Sequence, residues 1–264
     1  MVLMSDHPMM FWSPEGTGEQ AVTVTAATRS DLLEDLGTRM CARAPFAVAT
    51  LNLDHVVKFR QDSGFHTAYL AHSHITADGN PIVWLSGLAG QPVELVPGSE
   101  LIDPLMQFCA AQGVPVAFLG STEATLETAA RVLTDRYPGL EVVAMIAPEM
   151  GFDPTGAAAQ THIEALRRSK AGLCCLALGA PKQEVFAAHA LEQGLSMGFI
   201  SIGAGLDFIA GTQTRAPLWV RKIASEWIWR MLSNPKRLAA RYMACIAILP
   251  SLSLRAAKQR RSKS

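Results

Sequence analysis

The stretch GLCCLALGAPKQEVFAAHALEQGLSMGFISIG, residues 172–203, decides the fold. Its first eight residues, Gly172–Gly179, form an apolar run bounded by glycines and read as a buried strand. Pro181–Gln193 reads as a helix with proline at a first-turn position, where its missing N–H costs nothing. Leu195–Gly203 is a second buried strand. Strand, short turn, helix, strand is the unit of a parallel sheet covered on both faces. Working back from this unit, Gly156–Lys170 is a helix and Leu140–Pro148 a strand. Pro138-Gly139 is a turn, Thr122–Arg136 a helix and Val114–Gly120 a strand. Ser99–Gln112 is a helix, with Ser99 as candidate N-cap and Gly113 as its stop. Further back, Pro45–Asn52 reads as a strand and His55–Asp62 and Phe65–His74 as helices, while residues 1–30 read as an irregular lead-in. The class is α/β: a mostly parallel sheet with helices on both faces, in which ligands bind at the carboxyl ends of the strands.

Composition fits a globular chain with a large core: 264 residues, 49% hydrophobic and 17% charged. The zero net charge hides a split. Residues 215–264 hold 12 basic side chains against the single acid Glu226, a net +11, so residues 1–214 carry −11. A basic segment of that kind seeks a polyanion. Anionic lipid attracts such a segment by about 1 kcal/mol per Lys or Arg. Nucleic acid attracts it too, but the acidic remainder and the lack of a recognition module rank it lower. Trp219, Trp227, Trp229 and Tyr242 sit among these cations, and such residues favour membrane interfaces. The plainer reading is a C-terminal helix pair packing on the domain with Trp227 and Trp229 in the core, and one helix face can pack while the other meets lipid. The N-terminal MVLMSDHPMMFWSPEG lacks the pattern of a secretory signal. The late apolar run Met243–Leu254 contains Pro250 and falls short of the ~18–20 residues a spanning helix needs. Cysteines 41, 109, 174, 175 and 245 are odd in number and form no CxxC pair, which reads as reduced thiols in the cytosol.

Three loops carry candidate chemistry. Gly179-Ala180-Pro181-Lys182-Gln183-Glu184 joins a strand to a helix start, where free N–H groups and the positive dipole end favour phosphate. Lys182 adds a point charge and Gln183 a partner for a sugar or base. The ordinary alternative is a plain strand-to-helix turn, since neither GxGxxG nor a Walker loop is present. Gly203-Ala204-Gly205-Leu206-Asp207-Phe208 follows the next strand. Its glycines permit close backbone approach, and Asp207 suits a pair of hydroxyls or, equally, a helix cap. Asp78-Gly79 is a turn by default, or a general base on a loop. His72 and His74 lack a third ligand nearby and read as surface histidines. Two Gly-rich ends on consecutive strands, followed by a basic aromatic tail, point to a nucleotide-dependent enzyme working against a membrane.

The residues then fall into a recognised series. Thr50 and Asn52 in ATLNLDH, Asp78-Gly79, Pro97-Gly98-Ser99, Tyr137-Pro138, GAPKQE and GAGLDFIAG are joined by Arg215-Ala216-Pro217, Glu226-Trp227, Arg230, Pro235, Arg237 and Arg241-Tyr242. Over about residues 45–245 the chain resembles the bacterial WecG/TagA/CpsF glycosyltransferases. The resemblance implies a Rossmann-like fold and an inverting, metal-independent hexosyltransferase without a cofactor. The donor would be a UDP-sugar (UDP-N-acetylmannosamine, its uronic acid or UDP-glucose). The acceptor would be a polyprenyl-diphosphate-linked sugar, in exopolysaccharide or another surface polysaccharide. The resemblance makes Asp78 the catalytic base and Thr50 and Gln183 positioning residues. Asn52, Gly179, Lys182, Glu184, Gly203, Gly205, Asp207, Arg215, Arg230, Arg237 and Arg241 complete the substrate-binding set. It also implies a lead-in over 1–44, a catalytic domain over 45–214, and a basic appendage over 215–264. That appendage would hold a cytoplasmic enzyme peripherally on the inner membrane face, and a homo-oligomer is compatible with this. One departure is visible: many relatives carry an Arg where this chain has Leu95. The rival readings are a nucleotide-dependent oxidoreductase, which wants a GxGxxG absent after every assigned strand, and a non-enzymatic membrane scaffold, which needs none of the strand-end residues.

Overall fold

The structure is a computed structural model describing residues 9–12, 21–214 and 235–261. In chain order the elements are β1 (Met10–Trp12), β2 (Val22–Thr23), α1 (Arg29–Cys41), β3 (Phe46–Leu51), α2 (Leu53–Phe59) and α3 (Ser63–Leu70). They continue with β4 (His74–Ala77), α4 (Asn80–Leu88), α5 (Gly98–Gln112), β5 (Val116–Gly120), α6 (Glu123–Arg136) and β6 (Val142–Ile146). After these come α7 (Ala157–Ser169), β7 (Leu173–Ala177), α8 (Lys182–Glu192), β8 (Gly198–Ser201) and α9 (Gly205–Ala210), and the last described element is α10 (Pro235–Arg261).

Six strands form one parallel sheet in the order β4-β3-β8-β7-β5-β6. Residues of β3, β4, β5, β7 and β8 are buried throughout. That is why β5 and β7 read as unbroken apolar runs rather than alternations. Side chains alternate between two faces. On β5, Val116 and Phe118 enter the cluster beneath α5 and α6, while Ala117 and Leu119 join Ile163 and Phe186 under α7 and α8. The fold is thus the α/β, Rossmann-like architecture expected. The chain steps from β3 outward to β4 and then crosses the sheet to β5. Strands β3 and β8, far apart in sequence, therefore lie side by side, and a crevice opens at their carboxyl ends.

A third cluster gathers what the sequence reading left loose. Met9 and Phe11 beside β1, with Val22 and Val24 at β2, pack against Leu51, Phe59, Phe65, Tyr69 and Ile82. The described part of the irregular lead-in therefore carries an antiparallel strand pair and core residues, followed by α1, whose N-cap Thr28 accepts from Asp31 N. From the other end of the chain, Cys245, Leu252 and Ala256 of α10 enter the same cluster, and α10 packs on α2 and α4.

Other expectations are corrected. The helix placed over Phe65–His74 stops at Leu70, and His74–Ala77 is the edge strand β4. His72 and His74 are buried rather than superficial. The His72 Nδ1 lies 2.7 Å from the Ala68 carbonyl oxygen, and the His74 Nε2 lies 2.8 Å from Asp35 Oδ2. Ser99 does not cap α5. The helix starts at Gly98 behind Pro97, because the chain must pass tightly over β8. A Cβ at Gly98 would lie 2.3 Å from the Ser201 carbonyl oxygen. Gly98→Ala is therefore expected to lower stability by about 1–3 kcal/mol. An unchanged urea midpoint would rule out that close approach.

Candidate active site

The carboxyl ends of four neighbouring strands surround a cavity of about 630 Å3. Thr50 and Asn52 reach it from β3, Asp78 and Gly79 from β4, Gly179 and Gln183 from the end of β7, and Gly203 from that of β8. Because the strands are parallel, the helices that follow them start on this side. Residues at the N-terminal ends of α2, α4, α5, α8 and α9 line the cavity: Leu53, Asn80, Gly98, Gln183 and Ala204. Unpaired N–H groups and positive dipole ends thus converge on one space, an arrangement suited to a polyanion.

Asp78 is the acid at the edge. Its backbone N–H donates to the Leu51 carbonyl at 2.7 Å, and the Thr50 hydroxyl donates to Oδ2 at 3.4 Å. Gly79 has φ +125°, a conformation L side chains rarely adopt. It lets α4 begin immediately after Asp78 and holds the half-buried carboxylate over the crevice. Asn52 caps α2 by accepting from His55 N at 3.1 Å. Beneath Thr50, the ring of buried His55 donates to the Thr50 carbonyl, and its Nδ1 lies 2.8 Å from the Tyr69 hydroxyl. Burial drives the His55 pKa down to about 3 and raises that of Tyr69 well above its usual value. Both stay neutral at physiological pH, so the phenol donates to the imidazole and the strand end is fixed by an uncharged relay.

The cations stand on one carboxylate. Asp54 Oδ2 is 2.9 Å from Lys58 Nζ, one turn on in α2, and Asp54 Oδ1 is 2.8 Å from Arg241 Nε on α10. Lys58 also donates to the Ala180 carbonyl at 3.0 Å. All three side chains line the cavity. Across it, Gln183 donates through Nε2 to Glu184 Oε1 at 2.8 Å and accepts through Oε1 from Gly203 N at 3.2 Å. Pro81, Trp84, Leu95, Ile246 and Leu249 give one side of the cavity an apolar lining.

Thr50, Asn52, Asp78, Gly179, Gln183, Gly203 and Arg241 are thus brought together. Lys182, Glu184, Gly205 and Asp207 do not line the cavity. Lys182 lies within electrostatic reach of Asp153, and Glu184 is fully buried behind Gln183. A Cβ on Gly205 would sit 2.5 Å from Ile102 Cδ1, so this glycine serves packing. Asp207 accepts from the Ser121 hydroxyl at 2.8 Å and ties α9 to the end of β5. Arg237 falls in the first turn of α10. Arg215 and Arg230 lie outside the described residues, as do Trp219, Trp227 and Trp229. Sequence reasoning passed over Asp54 and Lys58. Their signal was an acid and a base four residues apart on the helix directly after the Thr50 strand. Among the described residues no group of three His, Cys, Asp or Glu is placed to hold a metal ion, and no helix is long and apolar enough to cross a membrane.

Known proteins share this sequence pattern. Three curated relatives are named N-acetylglucosaminyldiphosphoundecaprenol N-acetyl-beta-D-mannosaminyltransferase, from Staphylococcus aureus strains MW2, NCTC 8325 / PS 47 and MRSA252. Each is 31% identical over 178 residues, covering 66% of this chain and 68% of the relative. The family described as glycosyl transferase WecG/TagA/CpsF matches residues 20–264. The match takes in the residues that build the cavity, and the chain belongs to the WecG/TagA/CpsF family of glycosyltransferases.

Proposed function

We propose that the protein transfers a hexosyl or N-acetylhexosaminyl unit from a UDP-sugar to a polyprenyl-diphosphate-linked sugar, with inversion and without a metal ion. The observation that carries this is one cavity holding the Asp78 carboxylate, the Lys58 and Arg241 cations and five helix starts. An inverting displacement needs one base. Asp78 takes the proton of the acceptor hydroxyl, the oxygen attacks the anomeric carbon, and the bond to the diphosphate breaks on the opposite face. UDP then leaves with the bonding pair. Its growing negative charge falls among helix N-termini and the two cations, whose alignment precedes the reaction and so stabilises the transition state. Gln183 and Thr50 hold the donor and the base in register.

The acceptor class follows from the names of the relatives, which act on a diphosphoundecaprenol-linked sugar. The apolar lining from Pro81 to Leu249 suits the lipid end of such an acceptor. The basic residues 215–264 suit an anionic membrane surface, which would place the enzyme peripherally on the cytoplasmic face. Neither the oxidoreductase nor the scaffold reading is favoured, since neither uses the Asp78 carboxylate facing the Lys58 and Arg241 cations.

The test is turnover of a panel of UDP-sugars on vesicles carrying a polyprenyl-diphosphate-sugar, with EDTA present. UDP release with one donor, unaffected by EDTA, is the expected result and names the sugar. No release with any donor, in a protein whose melting temperature UDP leaves unchanged, would overturn the reading.

A further inference from the structure

Glu184 is 0% exposed, forms no part of the cavity wall, and follows a residue that does. Its Oε1 accepts from Gln183 Nε2 at 2.8 Å, its Oε2 is buried without a hydrogen-bond partner among the described residues, and the Ser201 hydroxyl is near enough to favour the ionised form. On the other side of the Gln183 amide stands a backbone donor, Gly203 N, 3.2 Å from Oε1. A side-chain amide has one accepting and one donating end. Between an acceptor-only carboxylate and an N–H, a single orientation satisfies both neighbours. The flipped amide would set oxygen against oxygen and N–H against N–H. The second Nε2 hydrogen and the remaining Oε1 lone pair are then available to a ligand in the cavity.

We propose that Glu184 is a positioning residue: its carboxylate, together with the Gly203 N–H, fixes the orientation of the Gln183 amide, and its protonation weakens that hold. The inference rests on the reading of Gln183 as a donor-site residue. The protonated carboxyl carries both a donor and an acceptor, so only the Gly203 N–H, 3.2 Å from Oε1, still discriminates between the two amide orientations. Burial pushes the Glu184 pKa up to about 7, which puts this exchange within the working range. The charged or titratable groups facing it are few. Lys58 on α2 acts on it through space, with its Nζ committed to Asp54 and Ala180. Tyr69 on α3 is close enough to feel the Glu184 charge and stays protonated. Ser201 on β8 contributes a neutral hydroxyl. The ionised carboxylate is the orienting form, so donor use rises with pH through about 7 and falls below it.

The experiment follows the Gln183 side-chain amide by nitrogen-15 NMR on the full chain from pH 5.5 to 8.5, with its signals assigned by their loss in Gln183→Leu. In wild type the amide pair is expected to shift with a midpoint near 7. In Ser201→Ala, which removes a neighbouring hydroxyl that favours the ionised form, the midpoint moves up. In Glu184→Gln the shift disappears. In parallel, Glu184→Gln is expected to lower kcat/KM for the donor about tenfold at pH 8, mostly through KM, and to converge on wild type at pH 6. A wild-type Gln183 amide that stays still across this range would overturn the proposal. So would a Glu184→Gln variant with the wild-type KM and pH profile. The NMR readout needs no turnover, so the transferase reading can fail while this inference stands, and the reverse.

Discussion

Replacing Asp78 with Asn lowers kcat about 10²–10⁴-fold, the range a positioned general base contributes, and leaves the melting temperature close to that of wild type. The two halves of this expectation come from different atoms. What holds the residue is its backbone N–H on the Leu51 carbonyl and the Gly79 turn behind it, and the substitution touches neither. The amide oxygen of Asn still accepts from the Thr50 hydroxyl, which stands 3.4 Å from Oδ2. Only basicity is lost, so donor binding is retained while the chemical step slows. Steady-state kinetics with a thermal melt on the same preparation separates the effects. Wild-type kcat in a folded Asp78→Asn protein would remove Asp78 from the role of base, and the acceptor proton would need another destination.

The sheet was legible where strands lie buried on both faces. β5 and β7 are unbroken apolar runs between glycines, β8 is broken only by Ser201, and the helix ahead of β5 carries a clear stop in left-handed Gly113. β4 was not legible. Its four residues, His74–Ala77, include two polar side chains, yet all four are buried. His74 is hydrogen-bonded to Asp35 and Ser73, and the Thr76 hydroxyl donates to the Val96 carbonyl at 2.9 Å. Polar residues satisfied by distant partners break the apolar signal of a strand. The N-terminal pair β1 and β2 was missed for a related reason: Phe11 finds its core through Tyr69 and Ile82, far along the chain.

The candidate site divides in the same way. Strand ends such as Gly179 and Gly203 could be found from pattern alone, because a parallel sheet dictates where ligands gather. Thr50 needed the family resemblance, and Asp78 and Gln183, open to function from their loops, needed it to be preferred over plain turns, since a lone Asp-Gly reads as a turn in any chain. Lys58 and Asp54 gain meaning only when Arg241 arrives from nearly two hundred positions away to share the carboxylate. GAPKQE alone makes Glu184 as good a candidate for ligand binding as Gln183, and the structure sets it behind Gln183, out of the cavity. Sequence carries the class of side chain at each loop but not which of two adjacent polar residues faces the ligand.

A chain ending at Thr214 is expected to keep its parallel sheet, to lose at least about 100-fold in turnover, and to bind anionic vesicles weakly. Three effects are removed together. The remaining residues carry a net −11, so lipid of like charge repels what it previously attracted. Arg241 is gone, and with it one of the two cations that line the cavity among the described residues, a kind of loss that costs about 10²–10³ in rate at other preorganised sites. The packing of Cys245, Leu252 and Ala256 is also lost; Leu252 alone contributes about 2 kcal/mol by burial, so the truncated protein melts at lower temperature. Arg241→Ala in the full chain separates these contributions. It removes one charge of the basic segment and none of the buried contacts of α10, so vesicle binding should stay near wild type while turnover falls. If that variant turns over at the wild-type rate while the truncated chain does not, α10 acts by bringing the protein to the membrane and Arg241 has no part in the chemistry. If the truncated chain is itself fully active, the substrate-handling role of the whole basic segment is refuted, and the anionic substrate must be held by Lys58 and the helix starts alone.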